Sequence, residues 1–496
     1  MSSQDLHEKN SALDVSADLE EAVPDAPKLQ RKLKNRHVAM ISIGGVIGTG
    51  LFLGTATALQ NGGPVGILLG YSAVGSICYV VMISLGEMIA FLPVPGGHIT
   101  LAERFVDPAL SFALGWNYCA YGEAEFLFAS IKVITITGLI ILGIVLDLGG
   151  GPSHDRIGFR YWKNPGPFAQ FNGIPGAKGR FLAWWSVMTQ AAFSFIGTEV
   201  VAIAGGETKN PRRNIPKAIR RVYIRLLLFY VGGVAIIGLL VPYDDPDLGL
   251  KRSDAAKSPF VIAIRHAGIK GLPSVINAAL LSSPWSAASS ELYSSSRAIY
   301  TLSVNGSAPR IFSRVSKHGL PYVAVGFQSL FGLLAYMGIK SGSGRVFGWF
   351  GNMTSIAGLA SWFGICVTYI RFQRGLKAQG ISRKTLPFTS PLQPFAAYYG
   401  AVSCLFICIT SGWTVFLKDN WATDLFVTNY LPLALFPILY VGARWWKGTT
   451  LVKPKDMDFV GGLAEVEAAS YDEPPPRNWA EKFWGWLVSQ ILILKP

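Results

Sequence analysis

Residues 42–52 read SIGGVIGTGLF and residues 191–201 read AAFSFIGTEVV, so Ile-Gly-Thr stands at 47–49 and again at 196–198. Both copies lie inside long apolar stretches. Glycine weakens a helix by about 1 kcal/mol per residue, and Gly44, Gly45, Gly48 and Gly50 fall within seven positions. The spacing predicts a first apolar helix broken near its middle, and the repetition predicts a matching break in a second.

The surroundings of these two segments set the fold class. Of the 496 residues, 50% are hydrophobic and 15% charged, below the roughly 25% charge of soluble domains. A membrane span needs about 20 mostly apolar residues. Ten stretches qualify, at 38–60, 64–92, 126–148, 182–206, 223–242, 272–293, 321–340, 345–370, 394–417 and 425–443, while 109–121 is too short. The chain therefore reads as an all-α integral membrane protein with ten full transmembrane helices plus a short stub. Cys78, Cys366, Cys404 and Cys408 sit in apolar spans as free thiols, and the six histidines are scattered without metal-ligand spacing. No cofactor or metal is expected. The formal charge of +14 resides in loops between spans, which argues against a nucleic-acid partner and for membrane lipids.

Unwinding at membrane depth exposes N–H groups at the start of one half-helix and carbonyls at the end of another, and these need partners. An amino acid supplies both. Its carboxylate can accept from amides around Gly48, Thr49 and Gly50, favoured by the helix dipole, and its ammonium can donate to carbonyls near Val46, Phe193 and Ile196. Ile47, Ser194 and Phe195 belong to the same two segments. The alternative is that the glycines merely allow close helix packing. Trp285, in LLSSPWSAASS (280–290), either closes over a bound side chain or packs.

Charges inside spans cost about 2.5–3.5 kcal/mol each on insertion scales, which marks Glu87, Lys132 and Glu199 as candidates for proton coupling. Lys132 could instead snorkel to the surface, and Glu87 lies near its span end, where a structural role is equally open. Lys and Arg near span ends place both termini in the cytoplasm. Arg31, Lys32, Lys34 and Arg36, then 209–221, 297–317 and 371–384, fall inside, and the acidic turn Asp244, Asp245, Asp247 falls outside. The loop 149–181, with five basic residues, dissents. Residues 1–37 form a tail whose first 27 positions hold seven acids and read as disordered. The transporter-like domain then runs over 38–446, and 447–496 forms a cytoplasmic tail with an interfacial segment at 483–494.

The stretches GGVIGTGLF (44–52), SLGEMIAFLPVPG (84–96), FASIKVITI (128–136) and FSFIGTEVVAIAGGETKNPRRNIPKAI (193–219), with SSRAIYTLSVNGSAPRIFSRVSKHGLPY (295–322), resemble the fungal amino-acid permeases of the yeast amino acid transporter family, within the amino acid–polyamine–organocation superfamily. The resemblance covers about residues 35–460. It implies a LeuT-like inverted-repeat bundle, proton-coupled amino-acid uptake at the plasma membrane, a lysine at 132 in place of a bound cation, and a site role for Trp285. Family members have twelve spans. Here only Cys119 and Ala120 separate GWNY (115–118) from YGEAEF (121–126), so most of the third helix and all of the fourth are missing. The first repeat, 38–148, is incomplete beside the second, 182–370, with two extra helices at 394–443. Losing a pair preserves parity, so every later loop keeps its side. A non-transporting sensor that binds the amino acid and signals through its tails is the second reading. A membrane enzyme finds no supporting motif.

Overall fold

The structure is a computed structural model. It describes residues 47–48, 50–94, 96–117, 125–199, 226–249, 255–316, 319–337, 342–417 and 420–461, together with the single positions 216, 219, 222, 339 and 463. Val46, Thr49, the N-terminal tail, the 118–124 junction, most of the basic 200–225 stretch and the segment 483–494 lie outside the described residues.

Among the described residues the fold is helix and turn, with no strand. The helices used below are α1 (Thr55–Phe91), α2 (His98–Phe105), α3 (Pro108–Asn117), α4 (Glu125–Asp147), α5 (Gly176–Phe195), α6 (Gly232–Leu240), α7 (Pro259–His266), α8 (Leu272–Val304), α9 (Tyr322–Leu330), α10 (Ser343–Ala378), α11 (Phe395–Thr410) and α12 (Thr423–Lys447). Four described runs are long and apolar enough to cross a membrane: Gly50–Phe91, Gly344–Ala378, Phe395–Phe416 and Thr423–Lys447. The first has 42 residues and as a straight rod would reach roughly 63 Å, about twice the hydrocarbon thickness. It is not straight. Gly63 has φ 72° and ψ 174°, and Pro64 follows, so one run holds the two expected spans, which turn back on each other at Asn61–Pro64. Proline is tolerated there because first-turn N–H groups have no helical partner.

Regular helix is interrupted within other expected spans. α5 stops at Phe195, α6 is preceded by a π turn over Leu226–Val231, and α9 passes into a 3₁₀ stretch at Phe331–Met337. The described part of the stub, α3, has 10 residues, about 15 Å, and runs up to the 118–124 junction that lies outside the described residues.

α5 lies in the angle between the two arms of α1. A Cβ at Gly62 would sit 2.5 Å from a Val187 methyl, and one at Gly70 2.7 Å from another. Gly66 and Gly70 stand four positions apart on the second arm, the small-residue spacing that lets membrane helices approach closely, and Gly62 closes the first arm.

Polar ties sort the loops into two ends. At one, Val65 N donates to Pro167 O (2.9 Å), Ala169 N to Gly62 O (3.3 Å) and Trp162 Nε1 to Gly238 O (2.9 Å). Arg265 pairs with Asp247, and Arg345 with Asp424, both at 2.9 Å. At the other, Arg383 pairs with Glu87, Arg444 with Asp107, and Lys447 donates to Ser307 Oγ.

The tail expected to start at 447 is not solvated along its first part. Val452 N donates to Val106 O (3.0 Å), Arg371 to Val452 O, and Gln379 Nε2 to Met457 O (2.6 Å). Phe459 is buried and stacks on Phe105 with ring centroids 5.3 Å apart. The folded unit thus extends beyond 446 to about residue 461.

Candidate functional site

Non-helical chain stands in both echoed segments. Ile47 and Gly48 are non-helical, and a π turn at Gly50–Gly54 runs into α1. A π turn spreads its hydrogen bonds to i+5 and is common at functional sites. At the second break, Ile196 is extended (φ −61°, ψ 149°), Gly197 has φ 90°, and residues 196–199 form a turn. Thr198 Oγ1 donates back to Phe195 O at 2.6 Å, capping part of the α5 C-terminus.

The breaks meet. A Cβ on Gly50 would lie 2.7 Å from Ser194 Cα and 2.9 Å from Ser194 Oγ, so only a glycine fits there. The N-terminal end of the first arm of α1 therefore abuts the C-terminal turn of α5, a partially positive end beside a partially negative one. Three side chains hold the junction. Tyr71 OH and Ser194 Oγ share a hydrogen bond at 2.8 Å, Ser194 Oγ also donates to Gln190 O at 3.2 Å, and Ser283 Oγ of α8 donates to Ile47 O at 3.3 Å.

The remaining sequence candidates divide. Phe193 is half-buried and faces α10, its ring 5.9 Å from Phe347 in a T-shape. Ile196 packs on Gly358 of α10, where a Cβ would lie 2.5 Å from it. Phe195 points the other way, fully buried and stacked 4.4 Å from Tyr230. That placement is core packing. Trp285 is 67% exposed. It follows Ser283 by two positions, roughly 200° around a helix, so Ser283 faces the junction and Trp285 turns away from it. The structure does not bring Trp285 to the breaks.

Glu199 is fully buried at the end of the second break and accepts from Trp362 Nε1 of α10 at 2.9 Å. Lys132 is 1% exposed near the start of α4, which rules out a snorkelled ammonium. Glu87 accepts from Arg383 Nε (2.6 Å) and Nη2 (2.7 Å), and from Ser390 N (2.8 Å) and Oγ (2.7 Å). Of the two readings of Glu87, this geometry favours a structural clamp. Among the described residues no cluster of His, Cys, Asp or Glu is suited to a metal ion.

Sequence reading passed over Tyr71, Ser283 and Trp362. Ser283 stood in the small polar run around Trp285, where periodicity could have assigned it the opposite face. Nothing local separates Tyr71 or Trp362 from ordinary apolar positions.

The chain matches the family described as amino acid permease in two stretches, residues 37–122 and 119–454. A proline-specific permease of Emericella nidulans is 38% identical over 525 aligned residues, covering 95% of this chain and 95% of the relative. A dicarboxylic amino acid permease of Saccharomyces cerevisiae is 37% identical over 494 residues (88% and 81%), and a lysine-specific permease of the same yeast 37% over 523 (95% and 85%). Among solved structures, an Eremococcus coleocola manganese transporter overlays with a TM-score of 0.45 and 11% identity, covering 88% of this chain and 95% of that one.

Proposed function

Because this chain belongs to the amino acid permease family, we propose that it is a secondary active transporter that moves amino acids through the junction of its two helix breaks, coupled to protons. It is an integral membrane protein and not an enzyme. The observation that carries the reading is the backbone approach of Gly50 to Ser194, which sets the start of one helix against the end of another. A zwitterion matches that pair of ends. Its carboxylate accepts from N–H groups at Gly50 and the start of the π turn, where the dipole favours an anion, and its ammonium donates to carbonyls of Phe193 and Ile196 at the end of α5.

Ile47, Gly48, Gly50, Phe193, Ser194 and Ile196 form the backbone cradle, to which the sequence adds Val46 and Thr49. Phe195 packs behind it against Tyr230, and Glu87 clamps the loop at one end of the bundle. Glu199, buried on the second break and held by Trp362, is the proton carrier, because protonation removes a charge that is costly at membrane depth. Lys132 supplies a fixed positive charge in place of a metal ion.

The named relatives act on proline, dicarboxylic amino acids and lysine at 37–38% identity, so similarity alone selects no side chain. The inverted-repeat, LeuT-like arrangement, plasma-membrane placement and cytoplasmic termini belong to the same proposal. So does the loss of the third and fourth family helices, which is supported by the two family matches meeting at residues 119–122.

The test is uptake in a fungal cell lacking its own permeases, with accumulation and counterflow measured separately. Wild-type accumulation should rise as external pH falls and collapse with a protonophore. Glu199→Gln keeps an acceptor for Trp362 and should exchange substrate without accumulating it. Gly50→Ala should lose both. Binding without uptake in the wild-type protein favours the sensor reading, and accumulation unchanged in Glu199→Gln removes Glu199 from coupling.

A further inference from the structure

Where Asn61, the Phe171–Gly173 turn and the α11–α12 connection come together, the bundle holds a cavity of about 400 Å³. None of the described residues of the two helix breaks lines it. Its described lining carries six carboxamides, among them Asn61, Gln190, Asn352 and Asn420, and five hydroxyls, while no described lining residue is charged. Three aromatic rings, Phe171, Trp185 and Trp413, complete the wall. They are braced, with Phe171 4.8 Å from Trp413 and Trp185 5.3 Å from Phe406. Gln190 Oε1 is buried with no hydrogen-bond partner among the described residues. An unsatisfied buried carbonyl costs about 1–3 kcal/mol, which marks it as waiting for a donor.

The lining selects a ligand class. An amino acid or other ion would leave water for walls without countercharge, at high cost. Carboxamides both donate and accept, and hydroxyls do the same, so a molecule carrying many hydroxyls is matched at each position. Flat aromatic walls suit the C–H face of a small ring. The volume is within the usual range of about 300–1,000 Å³ for small-molecule sites.

We infer that this cavity binds a neutral polyhydroxylated molecule of monosaccharide size. The test uses purified full-length protein in a detergent without a sugar headgroup, since a maltoside would compete. Glucose, mannose and myo-inositol are titrated by tryptophan fluorescence and by equilibrium dialysis of the labelled compound. At least one should bind saturably, and glucuronate and glucosamine should bind at least about tenfold more weakly. Trp413→Ala and Gln190→Leu should each weaken the neutral ligand by a similar factor, and Asn420→Leu in the connecting loop reads the same site if either of these fails to fold. No saturable binding by any of the three neutral probes overturns the inference. So do equal binding of the charged analogues, affinities unchanged in all the variants, or displacement by amino acids alone, which would make the cavity part of the transport route.

Discussion

Glu87 and Arg383 are separated by 296 residues in sequence and form a bidentate ion pair with the carboxylate fully buried. A buried charge tolerates its site only while its partners remain, and removing one partner typically costs about 3–5 kcal/mol. Arg383→Ala should therefore lower the thermal midpoint of the purified protein far more than Glu87→Gln, which keeps an acceptor for Ser390 and leaves no uncompensated anion. Removing both charges together should cost less than the sum of the single changes. If Arg383→Ala melts with the wild-type protein, the clamp is not structural and Glu87 returns to the coupling candidates. The sequence flagged Glu87, because an acid inside an apolar stretch is conspicuous by itself. It could not name the partner, since pairing across six spans leaves no local pattern. Gly50 was visible for the same reason as Glu87, while its contact with Ser194 depends on how two distant helices lie.

At the level of elements, the turn between the arms of α1 shows how much a short motif can specify. The apolar stretches 38–60 and 64–92 put a boundary at 61–63, and Gly63 takes φ 72° with ψ 174°, a region essentially closed to residues with a Cβ. A Cβ there would also sit 2.7 Å from Ala169 N. Gly63→Ala should cost at least about 1–3 kcal/mol from backbone strain alone, whereas Gly54→Ala, at helical dihedrals with nothing within 4 Å of its Cβ, should be neutral or stabilising. Comparing thermal midpoints of the two variants checks the hinge. The docked segment after α12 was less legible, because its anchors, Met457 and Phe459, stand isolated among polar residues and show no period. A Cβ at Gly375 of α10 would lie 2.4 Å from Met457 Sδ, so the segment lies directly on that helix, and Phe459 completes a cluster with Phe91, Phe105 and Phe372. Phenylalanine-to-alanine changes in cores cost about 3–5 kcal/mol, and here the loss falls on local opening. Phe459→Ala should raise tryptic cleavage after the exposed Lys455 on the order of 100-fold while the bundle melts unchanged. Equal cleavage in variant and wild type would mean the segment is held by its hydrogen bonds alone.

For the whole molecule, the question left open by charge counting is the side on which residues 149–181 lie. Their basic residues argued for the cytoplasm and the alternation of spans argued against it. The loop is tied to Gly62, Val65 and Gly238, the same end as the turn between the arms of α1, and opposite the end where Glu87 meets Arg383. Proximity thus groups the loop with the predicted outer surface, a result that charge could not reach because five residues scattered over a long loop weigh little against tertiary contacts. The grouping also bears on the stub. If 109–121 crossed the bilayer, α4 would start outside and the 149–181 loop would fall inside, away from the turn it contacts. Single cysteines placed at exposed Ser153 and Lys384 decide between these arrangements, since the four described native cysteines are buried. An impermeant maleimide should label Ser153→Cys on intact cells, and Lys384→Cys only after permeabilisation. The reverse pattern, Lys384→Cys labelled on intact cells and Ser153→Cys only after permeabilisation, would mean that the stub crosses and would overturn the helix-pair loss, because only an even loss leaves every later loop on its original side.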